Sequence, residues 1–222
     1  MWALAALTLW LPAAVLGHGG GTGGPATGSL SFADPAPLGI GYEWTVVMHR
    51  HQTMEMVHAV GAKSWREPSN PDGAKGWTHT SDWVALELAE PATVRIVVER
   101  QQGVVTVGQT GIASAARDAL APAISLYRGW DETTESESHT YNSVGNFWST
   151  IEYVGSASNP KARARVTYKA KLPAGRYSVA IGGNPKSLGD ASAYPANGCD
   201  ATDAVCYQYT GLQGYRATIK TK

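Results

Sequence analysis

The dominant pattern along this chain is an alternation of apolar and polar residues with a period of two. The pattern is clearest in residues 92–100, 163–172 and 215–220. Successive side chains of a strand point to opposite faces, so this period predicts strands with one buried and one solvated face, as in antiparallel sheets. Three further segments are predicted to be strands: Trp83–Leu88, Ala123–Tyr127 and Tyr177–Ile181.

Glycine and proline separate these segments and predict the turns. The predicted turns are Glu90-Pro91, Leu172-Pro173-Ala174-Gly175 and Gly182-Gly183-Asn184-Pro185. One Ala-rich segment, Thr110–Ala121, has a helix-forming composition and is followed by Pro122. Many short strands with Gly/Pro turns predict a mainly β protein, an antiparallel β-sandwich with at most one short helix.

A second feature bears on the fold alone. The segments Pro122–Tyr127 and Leu172–Val179 look like the strand phrases of bacterial secreted jelly-roll domains. That resemblance implies a jelly-roll-like arrangement of the two sheets.

The N-terminal residues divide the 222-residue chain into three parts. Residues 1–17 are predicted to be a signal peptide, because Trp2–Leu16 is uncharged, apolar and too short to span a bilayer comfortably. Residues 18–28 are glycine-rich and are expected to form a flexible arm. Residues 29–222 are expected to form one domain. We therefore expect export to the outer surface, the periplasm or the medium.

Charge and cysteine content narrow the function. Lys plus Arg and Asp plus Glu number eighteen each, so the chain has no field that would attract nucleic acid or an anionic membrane surface. Cys199 and Cys206 are the two cysteines. In an oxidising compartment this pair is expected to form a disulfide that closes a small loop; ligation of a soft metal by the thiols is the alternative.

The chemistry of the chain is concentrated at Trp77-Thr78-His79, with an isolated second histidine at His139. Imidazole is the commonest neutral metal ligand. In an extended segment residues two apart face the same side, so Trp77 and His79 would face one site. An intact indole cannot ligate a metal, because its nitrogen only donates hydrogen bonds. A tryptophan oxidised to kynurenine carries an aromatic amine that can.

The sequence around this motif resembles that of a known family. Ser64–Pro71 and Gly76–Leu88 resemble the copper-binding surface proteins of methane-oxidising bacteria, the MopE/CorA type, and Ser138–Asn142 looks like the family's second histidine region. In that family a copper ion, mainly Cu(I), lies between two histidines and a kynurenine made from the tryptophan two residues before the first histidine. The resemblance covers roughly residues 40–220.

The resemblance implies that Trp77, His79 and His139 are the copper ligands. Three neutral nitrogens form a low-coordinate set that suits Cu(I) better than zinc. The two imidazoles are then expected to approach one metal, with ring nitrogens roughly 4 Å apart. The implied role is copper acquisition or storage without turnover. A surface dihaem cytochrome c peroxidase is the implied partner and the candidate oxidant of the tryptophan.

A second group of soft side chains admits two interpretations. Its members are Met48, His49, His51, Met54, Met56 and His58. Thioether sulfur suits Cu(I), so a low-affinity acquisition site is one interpretation. The favoured one is that Met54 and Met56 pack in the core while His49 and His51 lie on a solvated strand.

Other features support weaker alternatives. An N-terminal His18 would chelate copper with its own amine, but the glycines after it argue against a rigid site. The acidic run Asp131–Glu137 is a candidate calcium site or a solvated loop. No hydrolase elbow, phosphate loop or His-Glu-x-x-His motif is present. The remaining alternatives are a copper-dependent oxidase or monooxygenase and a metal-free secreted binding module.

Overall fold

The computed structural model describes residues 42–62, 81–107, 113–130, 151–158, 163–184 and 212–222. Within these ranges the regular structure is entirely β. The strands are β1 (Trp44–Met48), β2 (Thr53–Gly61), β3 (Asp82–Leu88), β4 (Ala92–Arg100), β5 (Val105–Val107), β6 (Ala113–Ala115), β7 (Pro122–Arg128), β8 (Glu152–Ser158), β9 (Arg165–Leu172), β10 (Gly175–Gly183) and β11 (Leu212–Thr221). A search of the described part of the chain finds no helix suited to crossing a membrane.

Two sheets form the body of the domain. A five-stranded sheet has the order β1-β3-β10-β7-β8, a four-stranded sheet has the order β2-β11-β4-β9, and β5 and β6 pair separately. Every pairing is antiparallel except that of β1 with β3, in which Trp44 lies beside Val84 and Met48 beside Leu88. The parallel pair arises because β2 lies in the other sheet, so the chain re-enters the first sheet in its original direction.

The two sheets enclose one apolar core. Alternation of side chains along each strand turns one set inward, as in β2, where Met54 and Met56 are fully buried between half-buried neighbours. The same core contains Ile96 of β4, Leu86 of β3 and Tyr177 of β10. These residues come from both sheets, so the predicted β-sandwich is confirmed.

The opposite face of the five-stranded sheet is also buried. We call the buried residues on this side the outer cluster; they are Tyr42, Trp83, Ala85, Ala123, Tyr127, Trp130, Ile151 and Ala180. The rings of Trp83 and Tyr127 lie 5.7 Å apart between centroids. The Trp130 indole N–H donates to the carbonyl of Tyr177 at 3.1 Å. The sheet is therefore covered on both faces, as its nearly continuous apolar strands require.

The period-two segments all form strands, but the helix expected at Thr110–Ala121 is wrong where the structure describes it. Ala113–Ala115 forms β6 and pairs with β5. The Arg117 amide donates to Leu212 O at 2.8 Å, and the Gly214 amide donates to Arg117 O at 2.7 Å. So short a segment gains little from isolated helix formation, and pairing satisfies its backbone groups instead.

Two of the predicted turns are confirmed and one is displaced. The turn before β10 contains Gly175, whose φ of 137° favours glycine. Residues Glu90 and Pro91 separate β3 from β4. In contrast, Gly182 and Gly183 belong to β10. Gly183 lies against the end of β2, where a Cβ would collide with the backbone of Ala62, so glycine here serves close packing.

Candidate metal centre

The residues that the sequence predicts as ligands lie outside the described residues. They are Trp77, His79 and His139, and the same holds for the acidic run Asp131–Glu137, for His18 and for the cysteines Cys199 and Cys206. The expected copper ligands, distance and disulfide therefore remain predictions. The structure does describe the strands to which the Trp77–His79 segment and the His139 segment are attached.

A buried polar cluster lies where the segment carrying His79 joins β3. Asp82, the first residue of β3, accepts a hydrogen bond from His58 Nδ1 at 2.7 Å and another from the Tyr215 hydroxyl at 2.5 Å, both on Oδ2. His58 is 4%, Asp82 2% and Tyr215 0% exposed. We call these three residues the His58 cluster. It joins the two sheets, because Asp82 belongs to one and its two donors to the other.

Strand register explains how these residues meet. His58 and Tyr215 are direct partners in the antiparallel pairing of β2 with β11. His58 follows Met54 and Met56 on the inward face of β2. Asp82 lies two residues before Val84 and four before Leu86, so its side chain is on the same face of β3 as these two core residues. The three side chains therefore converge at one end of the sandwich interior.

The contacts with Asp82 shift the pKa values of the other two residues of the cluster. Burial alone would lower the pKa of His58, but the charge of Asp82 and the hydrogen bond to it outweigh burial and raise that pKa above 6.5. Burial first, then the charge and hydrogen bond of Asp82, raise the pKa of Tyr215 well above 10.0. Tyr215 therefore stays protonated and donates to Asp82 throughout the physiological range.

The second ring nitrogen of His58 is unusual. Nε2 is buried and has no hydrogen-bond partner in the part of the chain that the structure describes. The ring of Trp44 stands nearly perpendicular to the imidazole, with centroids 5.8 Å apart. A buried nitrogen without a partner costs about 1–3 kcal/mol. The burial of Nε2 is therefore unfavourable unless this nitrogen binds a further partner.

Glu43 adds a second acidic group beside the cluster. Its carboxylate accepts a hydrogen bond from the Trp83 amide, and its own amide donates to Trp83 O at 3.0 Å. Although part of this residue is accessible to solvent, burial of its carboxyl raises the pKa well above 4.5, and the charge of Asp82 raises it further. Glu43 therefore holds a proton more tightly in the folded protein than in the unfolded chain.

This linkage predicts how the stability of the metal-free protein depends on pH. A raised carboxyl pKa favours the fold below the ordinary value, and that contribution is lost as pH rises through the folded value. The free energy of unfolding should therefore fall as pH rises from the ordinary carboxyl value through the raised folded value of Glu43. Glu43→Gln should make the fall shallower and stabilise the protein at neutral pH by on the order of 1 kcal/mol.

Urea unfolding across this pH range measures the effect. Glu152→Gln is the matched control, because Glu152 is exposed on β8. The control should leave the pH dependence unchanged. Identical pH profiles for the wild type and Glu43→Gln would contradict the assignment. A smaller slope should remain in the variant, because the raised pKa of His58 acts in the same direction.

The methionines and the histidines His49 and His51 of the second group of soft side chains lie in different environments. Met48, Met54 and Met56 are fully buried in the core, which confirms the packing interpretation for Met54 and Met56. His49 and His51 are exposed but lie in the turn between β1 and β2, not on a strand as expected. Among the described residues, no three His, Cys, Asp or Glu side chains are grouped to hold a metal.

The strands that flank the His139 segment are attached to the outer cluster. Trp130, before that segment, and Ile151, after it, both belong to the cluster. Pairing places Arg128 of β7 beside Tyr177 of β10, which pairs with Leu86 near the end of β3. The His139 segment is therefore anchored at the end of the five-stranded sheet opposite Asp82.

Sequence comparisons find no relative: no protein-family model matches the chain, and no curated protein matches it. The chain is similar to two copper-binding proteins of known structure. The surface-associated copper-binding protein CorA of Methylomicrobium album BG8 is 12% identical, with 79% of this chain and 98% of that chain covered and a TM-score of 0.45. The secreted protein MopE of Methylococcus capsulatus, in which an oxidised tryptophan facilitates copper binding, is 13% identical, with 92% and 93% covered and a TM-score of 0.40.

A third similar structure is the pre-peptidase C-terminal domain of a collagenase from Bacillus anthracis. It is 10% identical, with 85% of this chain and 99% of that chain covered and a TM-score of 0.34. The function proposed next therefore rests on the residues of this chain.

Proposed function

We propose that this chain is an exported protein that binds one copper ion, mainly as Cu(I), for acquisition or storage and without turnover. His79 and His139 supply imidazole nitrogens, and Trp77 supplies an aromatic amine after oxidation to kynurenine. The support from sequence is the phrase around Trp77 and His79 together with the second histidine region. Soft or borderline neutral nitrogen ligands suit Cu(I).

The observation that carries this proposal is the position of the His58 cluster. His79 precedes Asp82 by three residues, so their Cα atoms lie within about 11 Å of each other. Asp82 is buried and hydrogen-bonded from the opposite sheet. Metal sites need support from rigid elements, and Asp82 provides such an element three residues after His79. The same place contains an unsatisfied imidazole nitrogen.

His139 has enough chain to reach this end of the sheet. The seven residues of β3 span about 20 Å, and His139 comes nine residues after Trp130, a stretch of chain that reaches about 30 Å when extended. The outer cluster extends from Trp130 to Trp83, one residue after Asp82. The chain after Trp130 is therefore long enough for His139 to contribute to the proposed site near Asp82.

Protein purified from its native host tests the proposal directly. Metal analysis should find one copper per chain. Tryptic cleavage after Lys75 and Arg95 isolates a peptide with Trp77 and Trp83, and oxidation of Trp77 to kynurenine should add ~4 Da to it. Fragmentation assigns the added mass to one of the two tryptophans. Protein from an ordinary expression host should lack this mass and bind copper more weakly.

Three outcomes would contradict parts of the proposal. Native protein that neither contains copper nor binds Cu(I) would overturn the function. Native protein with an intact Trp77 and equally tight copper binding would remove the kynurenine. Turnover of oxygen in the presence of a reductant would show an oxidase or monooxygenase instead of a binding protein.

A further inference from the structure

We propose that His58 is a further copper ligand, bound through Nε2 and oriented by Asp82. This inference rests on the function proposed above and adds a ligand to it. The sequence alone places His58 among core methionines and does not distinguish it from a structural histidine. The contacts of its two ring nitrogens make the distinction.

The two nitrogens of His58 have opposite environments. Nδ1 lies 2.7 Å from Asp82 Oδ2, so it carries the hydrogen and donates it. In the neutral ring the lone pair is then on Nε2, which is buried without a partner among the described residues. A metal-ligating histidine almost always donates its other N–H to a carboxylate or carbonyl, which fixes the tautomer and makes the ligand more basic. His58 has this arrangement.

The cluster is also built to keep this geometry. The Tyr215 hydroxyl donates to the same Asp82 oxygen at 2.5 Å, so it holds the carboxylate in place and does not contact Nε2 as a donor. Direct pairing of His58 with Tyr215 across β2 and β11 fixes the imidazole relative to that hydroxyl. Two strands of one sheet and one of the other therefore determine where Nε2 points.

His58 lies near one end of the sandwich. It is three residues from the last residue of β2, and Asp82 is the first residue of β3. The cluster therefore lies at the end of the sandwich and not at mid-core. The ring of Trp44 adjoins the imidazole and His58 is only 4% exposed, so Nε2 is shielded from bulk water.

One structural alternative makes a different prediction. If His58 were an imidazolium, Nε2 would carry a hydrogen with no hydrogen-bond acceptor among the described residues, which leaves the burial cost in place. Both nitrogens would then carry hydrogen, and a metal would bind only by displacing the hydrogen of Nε2. Metal binding at Nε2 therefore separates a ligand from a purely structural ion pair.

Nitrogen NMR of wild-type protein tests this without any substitution. In protein labelled with ¹⁵N-histidine, the hydrogen bond from Nδ1 to Asp82 should leave Nε2 as the ring nitrogen that responds to a metal. One equivalent of Cu(I) under anaerobic conditions, or of Ag(I), should shift the Nε2 resonance of His58 and leave that of His49 unchanged. An unshifted Nε2 in protein that binds copper tightly would overturn the inference and leave the proposed function intact.

Affinity measurements provide the second test. His58→Gln should weaken Cu(I) binding at least about 10-fold, and Asp82→Asn by about 10–100-fold, as expected for a ligand and the group behind it. His49→Gln, at an exposed histidine, is the matched control. Should His58→Gln fail to fold, the wild-type NMR result decides. A wild-type protein that binds no copper would overturn both this inference and the proposed function.

Discussion

Replacing His79 or His139 by Ala should abolish tight copper binding, with a loss of affinity greater than about 100-fold. Each substitution removes one imidazole from a site with few ligands, and the remaining ligands cannot hold Cu(I) as firmly. The effect should appear in native protein and in recombinant protein, because the histidines are needed whether or not Trp77 is oxidised. Competition with a chromophoric Cu(I) chelator measures the affinity.

The chain provides internal controls for this experiment. His49 and His51 are exposed in the turn between β1 and β2, so His49→Ala and His51→Ala should leave the affinity nearly unchanged. Circular dichroism and thermal unfolding should show that all four variants keep the β-sandwich. Tight binding retained in His79→Ala or in His139→Ala would show that the ligand assignment from the sequence is wrong.

The largest effect on stability is expected at Asp82. Asp82→Ala should lower the free energy of unfolding of the metal-free protein by about 3–5 kcal/mol. The substitution leaves His58 Nδ1 and the Tyr215 hydroxyl buried without their common acceptor. Part of the loss should be offset, because the Glu43 carboxyl no longer faces a neighbouring negative charge.

Urea unfolding at neutral pH measures this loss. Asp118→Ala is the matched control, because Asp118 is exposed and accepts one hydrogen bond, from Gln102 at 2.9 Å. It should change the free energy by less than about 0.5 kcal/mol. Tyr215→Phe should lie between the two, at about 1 kcal/mol, since it removes one donor and creates no buried charge. Equal effects at Asp82 and Asp118 would refute the role of the His58 cluster as a junction of the two sheets.

The sequence predicts strands best where one face is dry and the other wet. Residues 92–100 became β4, and residues 163–172 contain β9, because burial of one face leaves a period of two in the composition. The sequence of β8 lacks this period of two, because β8 is an edge strand on which Tyr153 and Val154 are exposed. For Thr110–Ala121 the sequence predicts the wrong element. Its alanines favour a helix locally, but pairing with β5 makes residues Ala113–Ala115 a strand.

For the candidate site, too, some features follow from the sequence and others only from the tertiary structure. The sequence by itself determined the sandwich, through its period of two, and it predicts export from residues 1–17. The three side chains proposed for copper come from the resemblance of the residues around Trp77, His79 and His139 to the copper-binding family. Only the tertiary structure brought His58 to Asp82, 24 residues apart, and Tyr215 to Asp82, 133 residues apart. No local pattern records such a contact, because its free energy depends on which strands the two sheets place face to face. The buried lone pair of His58 Nε2 is likewise a property of packing, since desolvation exists only once the sheets have closed over it.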